Sequence, residues 1–214
     1  MPDRLARWLE QSRSPALELV QAIRDLVSLA VTALAPPDAL SLAVANVRAA
    51  AAELAGHVPE GAPARIPQLE SIAGPADIMP FDPVIGAWSP MAPPLVVAIE
   101  DGRAMASVTF GPPYGGPPGC VHGGVIAACF DQVLNVANLL AGVAGPTASL
   151  EVRYRKPTPL GRPLRFEAGT PVVDGRQVRT TGVLRAGDTL LAEATGTFVT
   201  LPADRVMDLT SGRR

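Results

Sequence analysis

The chain has 214 residues, 48% hydrophobic and 18% charged, which is enough apolar content to bury one core with or without an appendage. Its formal net charge of -2 gives no reason to expect a nucleic-acid partner, which needs a basic surface, and that class is set aside. Two cysteines, Cys120 and Cys129, cannot make a disulfide framework, and two histidines, His57 and His122, cannot complete a zinc site of ordinary spacing, so no metal is implied.

The first residues, MPDRLARWLEQSRSP, mix acids and bases without the charged-then-apolar order of a signal peptide, and the nearby apolar run 26–35 is too short to span a bilayer. A cytoplasmic chain without a membrane span is the expectation. Residues 14–34 and 38–56 carry helical periodicity, through Leu19, Ile23, Leu26 and Ala30 and then Leu40, Val44, Val47 and Leu54. Ser14-Pro15 opens the first helix and Pro36-Pro37 stops it. These predict a helical hairpin extension over 1–56, packed on the main domain or on a partner. Nine prolines between His57 and Leu95 argue against regular structure, so 57–94 is expected to be a linker or strap.

From Leu95 the pattern turns to strands: LVVAIED and RAMASVTF, then, beyond residue 146, TASLEVRYRK, RPLRFEAGTPVV, RQVRTTGVLRAG and TLLAEATGTFVTL. In the third strand Ala148, Leu150, Val152 and Tyr154 alternate with Ser149, Glu151, Arg153 and Arg155, which buries one face. The turns at 174–176 and 186–188 are hairpin signals, so the sheet is expected to be antiparallel. Two strands, one long helix and four strands give an α+β domain over 95–201, followed by a tail, 202–214.

Between the second and third strands lies GPPYGGPPGCVHGGVIAACFDQVLNVANLL, residues 111–140. From His122 to Leu140 the residues are apolar in nearly every direction, which predicts a central helix wrapped on most sides by sheet. Asp131, Asn135 and Asn138 form one polar stripe, with Gly124 in the same line seven residues before Asp131. Asp131 either carries chemistry or simply accepts hydrogen bonds from its neighbours. His122-Gly123-Gly124 places two residues without side chains at a helix N-terminus, where free N–H groups and the dipole can bind an acyl oxyanion. A tight turn needing positive φ explains the two glycines equally well. Gly124 and Asp131 lie roughly 10 Å apart along the axis, so a site using both needs two antiparallel helices across a dimer twofold.

At these residues the sequence resembles the hotdog-fold acyl-CoA thioesterases of the PaaI-like, thioesterase-superfamily-member branch. The likeness runs over about residues 78–201 and rests on GPPGCVHGGVIAACFD, TASLEVRYRKPTPLG and AEATGTFV. It implies a curved antiparallel sheet around the central helix, a homodimer or dimer of dimers, and hydrolysis of an acyl-CoA substrate without a further cofactor. By that pattern Asp131 is general base or nucleophile, Gly123 or Gly124 polarises the carbonyl, His122 shapes the turn, and Thr147 orients water or the carboxylate. On simple pleat alternation, however, Thr147 shares the face of Arg153. Val125 and Asn135 would line the acyl channel, while Arg153, Tyr154, Arg155 and Lys156 would contact the CoA moiety. Eight of the 18 basic residues lie between Arg153 and Arg185, which suits nucleotide phosphates or, equally, a solvated sheet edge. Where some relatives have an amide side chain before the histidine, this chain has Tyr114-Gly115-Gly116, and the first 56 residues have no counterpart in the family core.

Two other readings compete. Cys120 with His122 as a nucleophile and base lacks an orienting partner, and residues two apart rarely present both groups at hydrogen-bonding distance. A non-catalytic acyl-CoA-binding or sensing dimer of the same fold is the alternative from another class; the retained Asp131 argues against it.

Overall fold

The computed structural model describes residues 13–58 and 79–200. Two helices come first, α1 (Arg13–Thr32) and α2 (Pro37–Ala55), close to the expected bounds. The predicted tail 202–214, residues 1–12, and residues 59–78 of the expected strap lie outside the described residues.

The domain that follows contains β1 (Val96–Glu100), β2 (Arg103–Thr109), a 3-10 turn (Pro112–Tyr114), α3 (Gly123–Leu140), β3 (Thr147–Tyr154), β4 (Pro163–Ala168), β5 (Val172–Asp174), β6 (Gln177–Ala186) and β7 (Thr189–Val199). The strands pair antiparallel in the order β1-β2-β4-β6-β7-β3, with β5 also on β6. The expected strand 162–173 is divided in two. The last bond of the first half is from the Gly169 N–H to the Thr181 carbonyl; Pro171 has no N–H to give to the ladder, and register pairing resumes at Val172 on the same neighbour.

One face of the sheet carries Leu164, Phe166, Ala168, Val178, Thr180, Leu184, Ala192, Ala194 and Phe198, all buried against α3. This is the hotdog arrangement, and its centre is α3. Phe130 meets Phe166 edge to face, with centroids 5.0 Å apart, and Leu134 is fully buried over Gly182. A Cβ on Gly182 would stand 2.9 Å from the Leu134 side chain, so only glycine lets the helix sit this close.

The sheet covers α3 on one side rather than most sides. Gly124 is exposed, and Val125, Ala127, Ala128, Asp131, Gln132 and Asn135 remain partly so. The polar stripe therefore divides. Asn138 points into the core, where its Oδ1 accepts a hydrogen bond from Thr180, while Asp131 and Asn135 face the open flank. By length and composition α3 is also apolar enough to cross a membrane, a property shared by the core helices of sheet-wrapped domains.

α1 packs on the 3-10 turn and on residues 79–94, but on a face shifted from the expected one. Val20 is buried and Arg24 donates to the Ser89 carbonyl at 2.8 Å, whereas Leu19, Leu26 and Ala30 are exposed. No residue of α2 is buried, and Leu40, Val44, Val47 and Leu54 are each about half exposed. The segment 79–94 is irregular, as the prolines predict. Asp82 accepts from the N–H groups of Val84 and Ile85 and from the Gln132 side chain, tying the segment to α3.

Candidate active site

The turn into α3 is held by close backbone approach. His122 N–H donates to the Tyr114 carbonyl, and a Cβ on Gly116 would stand 2.8 Å from the His122 Cα. His122, at φ -64 and ψ 133, is the N-cap, and its Nδ1 accepts the Gly124 N–H at 3.0 Å. Accepting there requires Nδ1 to be unprotonated. The Val125 N–H is bonded to the His122 carbonyl. That leaves the Gly123 N–H, which has no partner among the described residues. Neither Gly123 nor Gly124 has positive φ, so turn conformation does not account for the two glycines.

What does account for Gly123 is a neighbour. The Tyr154 hydroxyl donates to the Gly123 carbonyl at 2.7 Å, and a Cβ on Gly123 would lie 3.2 Å from that phenol. Burial pushes the Tyr154 phenol above its ordinary value, so it is protonated and a donor at neutral pH.

Two turns along the helix, the Thr147 hydroxyl donates to Asp131 Oδ1 at 2.7 Å. The pairing of β3 shows why Thr147 reaches it. Thr147 lies opposite Phe198 and Ser149 opposite Thr197, with Ala148 left over as a bulge. The extra residue breaks the alternation and moves Thr147 from the face of Arg153 to the face of buried Phe198. The conflict left by simple pleat alternation is resolved in this way.

Asn135 lies one turn beyond Asp131, and its Oδ1 is buried without a partner among the described residues. Val125 is partly exposed on the same helix. Arg153 and Arg155 project to the opposite, outer face of the sheet. There they pair with Glu151 at 2.8 Å and Glu193 at 2.6 Å and line a groove of about 460 Å³ with Arg103, Glu167 and Arg179. Lys156, just past β3, is exposed. The structure thus forms two clusters, His122-Gly123-Gly124-Tyr154 and Asp131-Thr147, and keeps the arginines apart from both. Burial raises the Cys129 thiol to about 12, which removes it as a nucleophile at neutral pH. The Tyr154 contact with Gly123 was missed in the sequence, although tyrosine among charged residues on the half-buried face of an edge strand marked it as unusual.

Chemically, a free N–H at a helix N-terminus can polarise a carbonyl oxygen, and a hydroxyl-bonded carboxylate can activate water or attack.

The thioesterase superfamily family model matches residues 118–193, a span that contains both clusters. A thioesterase superfamily protein of known crystal structure is 34% identical, covering 86% of this chain and 94% of its own, with a TM-score of 0.73. Acyl-coenzyme A thioesterase THEM4 of Xenopus laevis is 36% identical over 93 residues, 42% of each chain. The Bos taurus protein of the same name is 30% identical over 108 residues, 50% of this chain and 44% of that one. The chain therefore matches less than half the length of these curated relatives.

Proposed function

Because the chain belongs to the thioesterase superfamily, we propose that it hydrolyses an acyl-CoA thioester to the free acid and coenzyme A. The observation that carries this reading is the Thr147 hydroxyl bonded to Asp131, on a helix whose first N–H, that of Gly123, is unpaired among the described residues. In the proposed reaction the Gly123 N–H takes the thioester carbonyl oxygen. Asp131, held by Thr147, either removes a proton from the attacking water or attacks the carbonyl carbon itself. On the first route the C–S bond breaks and the proton taken by Asp131 passes to the leaving sulfur, giving free acid and CoA thiol. On the second the C–S bond breaks to release CoA thiolate, which takes a proton from solvent, and water then cleaves the acyl-Asp131 anhydride to the free acid. Gly124 is committed to the His122 cap, which favours Gly123 as the donor of the two.

Asp131 comes eight positions after Gly123, about 12 Å of helix axis, too far for one carbonyl group to meet both. The proposed site is therefore shared between two copies of the chain. The free edge of β3, eight residues without proline, suits antiparallel pairing with its own copy across a twofold. The same twofold sets the open flanks of two α3 helices antiparallel, so that Gly123 of one faces Asp131 of the other. Val125 and Asn135 would line the acyl channel between them, and Lys156, just past β3, would meet the nucleotide phosphates of CoA. Arg153 and Arg155, paired with carboxylates on the outer face of the sheet, stand apart from that path.

Thiol release from a panel of short, long and aromatic acyl-CoAs, by the protein and by Asp131→Asn, tests this. Turnover that falls by orders of magnitude in the variant, with the oligomer intact, is expected. Acyl-CoA binding with no turnover of any member would replace hydrolysis with sensing.

A further inference from the structure

We propose that Tyr154 is a positioning residue for the carbonyl-binding turn, its hydroxyl holding the Gly123–Gly124 peptide so that the Gly123 N–H keeps its aim; the proposal rests on the thioesterase reading above. That peptide is gripped at both ends. Its C=O accepts the Tyr154 hydroxyl at 2.7 Å, and its N–H donates to His122 Nδ1 at 3.0 Å. Consecutive glycines are the softest backbone a chain can offer, because no Cβ restricts φ or ψ. A donor that stabilises a developing oxyanion must be fixed in advance, since reorganisation during the reaction costs rate. The free N–H belongs to the preceding peptide, whose own C=O is held by the Val125 and Ile126 N–H groups. Only φ and ψ of Gly123 join it to the gripped peptide, so fixing both neighbouring peptides removes the freedom of the glycine between them.

The grip comes from a rigid element. Tyr154 ends β3 opposite Ala192, a fully buried position of β7, and the same strand begins with Thr147 on Asp131. One strand thus supports the carboxylate at its start and the donor turn at its end. The residue is half exposed, yet its hydroxyl is turned onto the Gly123 carbonyl at 2.7 Å rather than left to solvent. Glycine at 123 fits this account, because a side chain there would press on the phenol at 3.2 Å.

Tyr154→Phe removes the hydroxyl and keeps the ring. The expected result is a kcat lower by about five- to tenfold, from one hydrogen bond expressed in the transition state, with KM and melting temperature unchanged. Amide hydrogen exchange at Gly124, followed by NMR on the ligand-free protein, should accelerate by a similar factor. An unchanged kcat overturns the proposal. So does a raised KM at constant kcat, which would make the hydroxyl a substrate contact. If the parent protein turns over no acyl-CoA, the exchange arm decides alone. Faster exchange then supports the clamp while the thioesterase reading fails, and unchanged exchange overturns the clamp.

Discussion

Replacing Gly123 by proline would delete one atom group of the proposed site and little else. Proline lacks the N–H, fixes φ near -65°, and is favoured at the first position of a helix, where Gly123 sits. It also demands an extended residue before it, and His122, at φ -64 and ψ 133, already is one. The new contact is at the Tyr154 phenol, 3.2 Å from an added Cβ and a few tenths of an ångström too close. Gly123→Ala introduces that same contact while keeping the N–H, so the difference between the two variants reads the loss of the donor together with the ring Cδ that replaces its hydrogen. Loss of a single oxyanion donor costs about 10²–10³ in kcat, and that is the gap expected between Pro and Ala. The assay is thiol release at saturating acyl-CoA, with melting curves to show that both variants fold. A proline variant within about threefold of the alanine variant would refute the assignment of Gly123 as the donor.

Thr147→Val keeps the side-chain shape and removes the donor to Asp131 Oδ1. A hydrogen bond to a charged group is worth about 1.5–3 kcal/mol, and this one is open to solvent, so kcat should fall by about tenfold, with Thr147→Ser recovering most of it. An unchanged kcat in the valine variant would detach Thr147 from the chemistry. Cys129 is fully buried with its thiol raised from 9.0 to about 12, whereas Cys120 is half-buried. A thiol reagent at neutral pH should therefore label Cys120 alone in the native protein and both cysteines in denaturant; labelling of native Cys129 would contradict its burial. Because folding favours the neutral Cys129 thiol, its stabilising contribution is full below about pH 9 and is lost as pH rises toward 12.

The sequence carried the fold wherever periodicity was tied to burial on one face. The alternation in β3, the apolar run of α3 and the hairpin signals beyond it all have counterparts in the structure. It failed where a single residue changed the local geometry. Ala148 makes the bulge that turns Thr147 toward Asp131, and nothing in an alternating stretch announces which residue will be left over. Pro171 divides one expected strand in two, a break its missing N–H could have signalled. The α1 stripe through Leu19 and Leu26 misled because leucines recur on more than one face of that helix, and packing selected the face with Val20 and Arg24. The Gly123–Gly124 pair was visible, but its division of labour was not. That depends on the direction in which the His122 ring turns and on a tyrosine thirty residues away in sequence.

The central claim is that each site takes its carboxylate from one copy of the chain and its carbonyl donor from another. Mixing Asp131→Asn with Gly123→Pro, by co-refolding or co-expression, and measuring acyl-CoA thiol release tests it most directly. In a shared site the mixed dimer carries both lesions in one site and neither in the other. Equal mixing should then restore about a quarter of the parent activity, well above either variant alone. If mixed dimers form and activity stays at the level of the separate variants, both groups act within one chain and the shared site is contradicted.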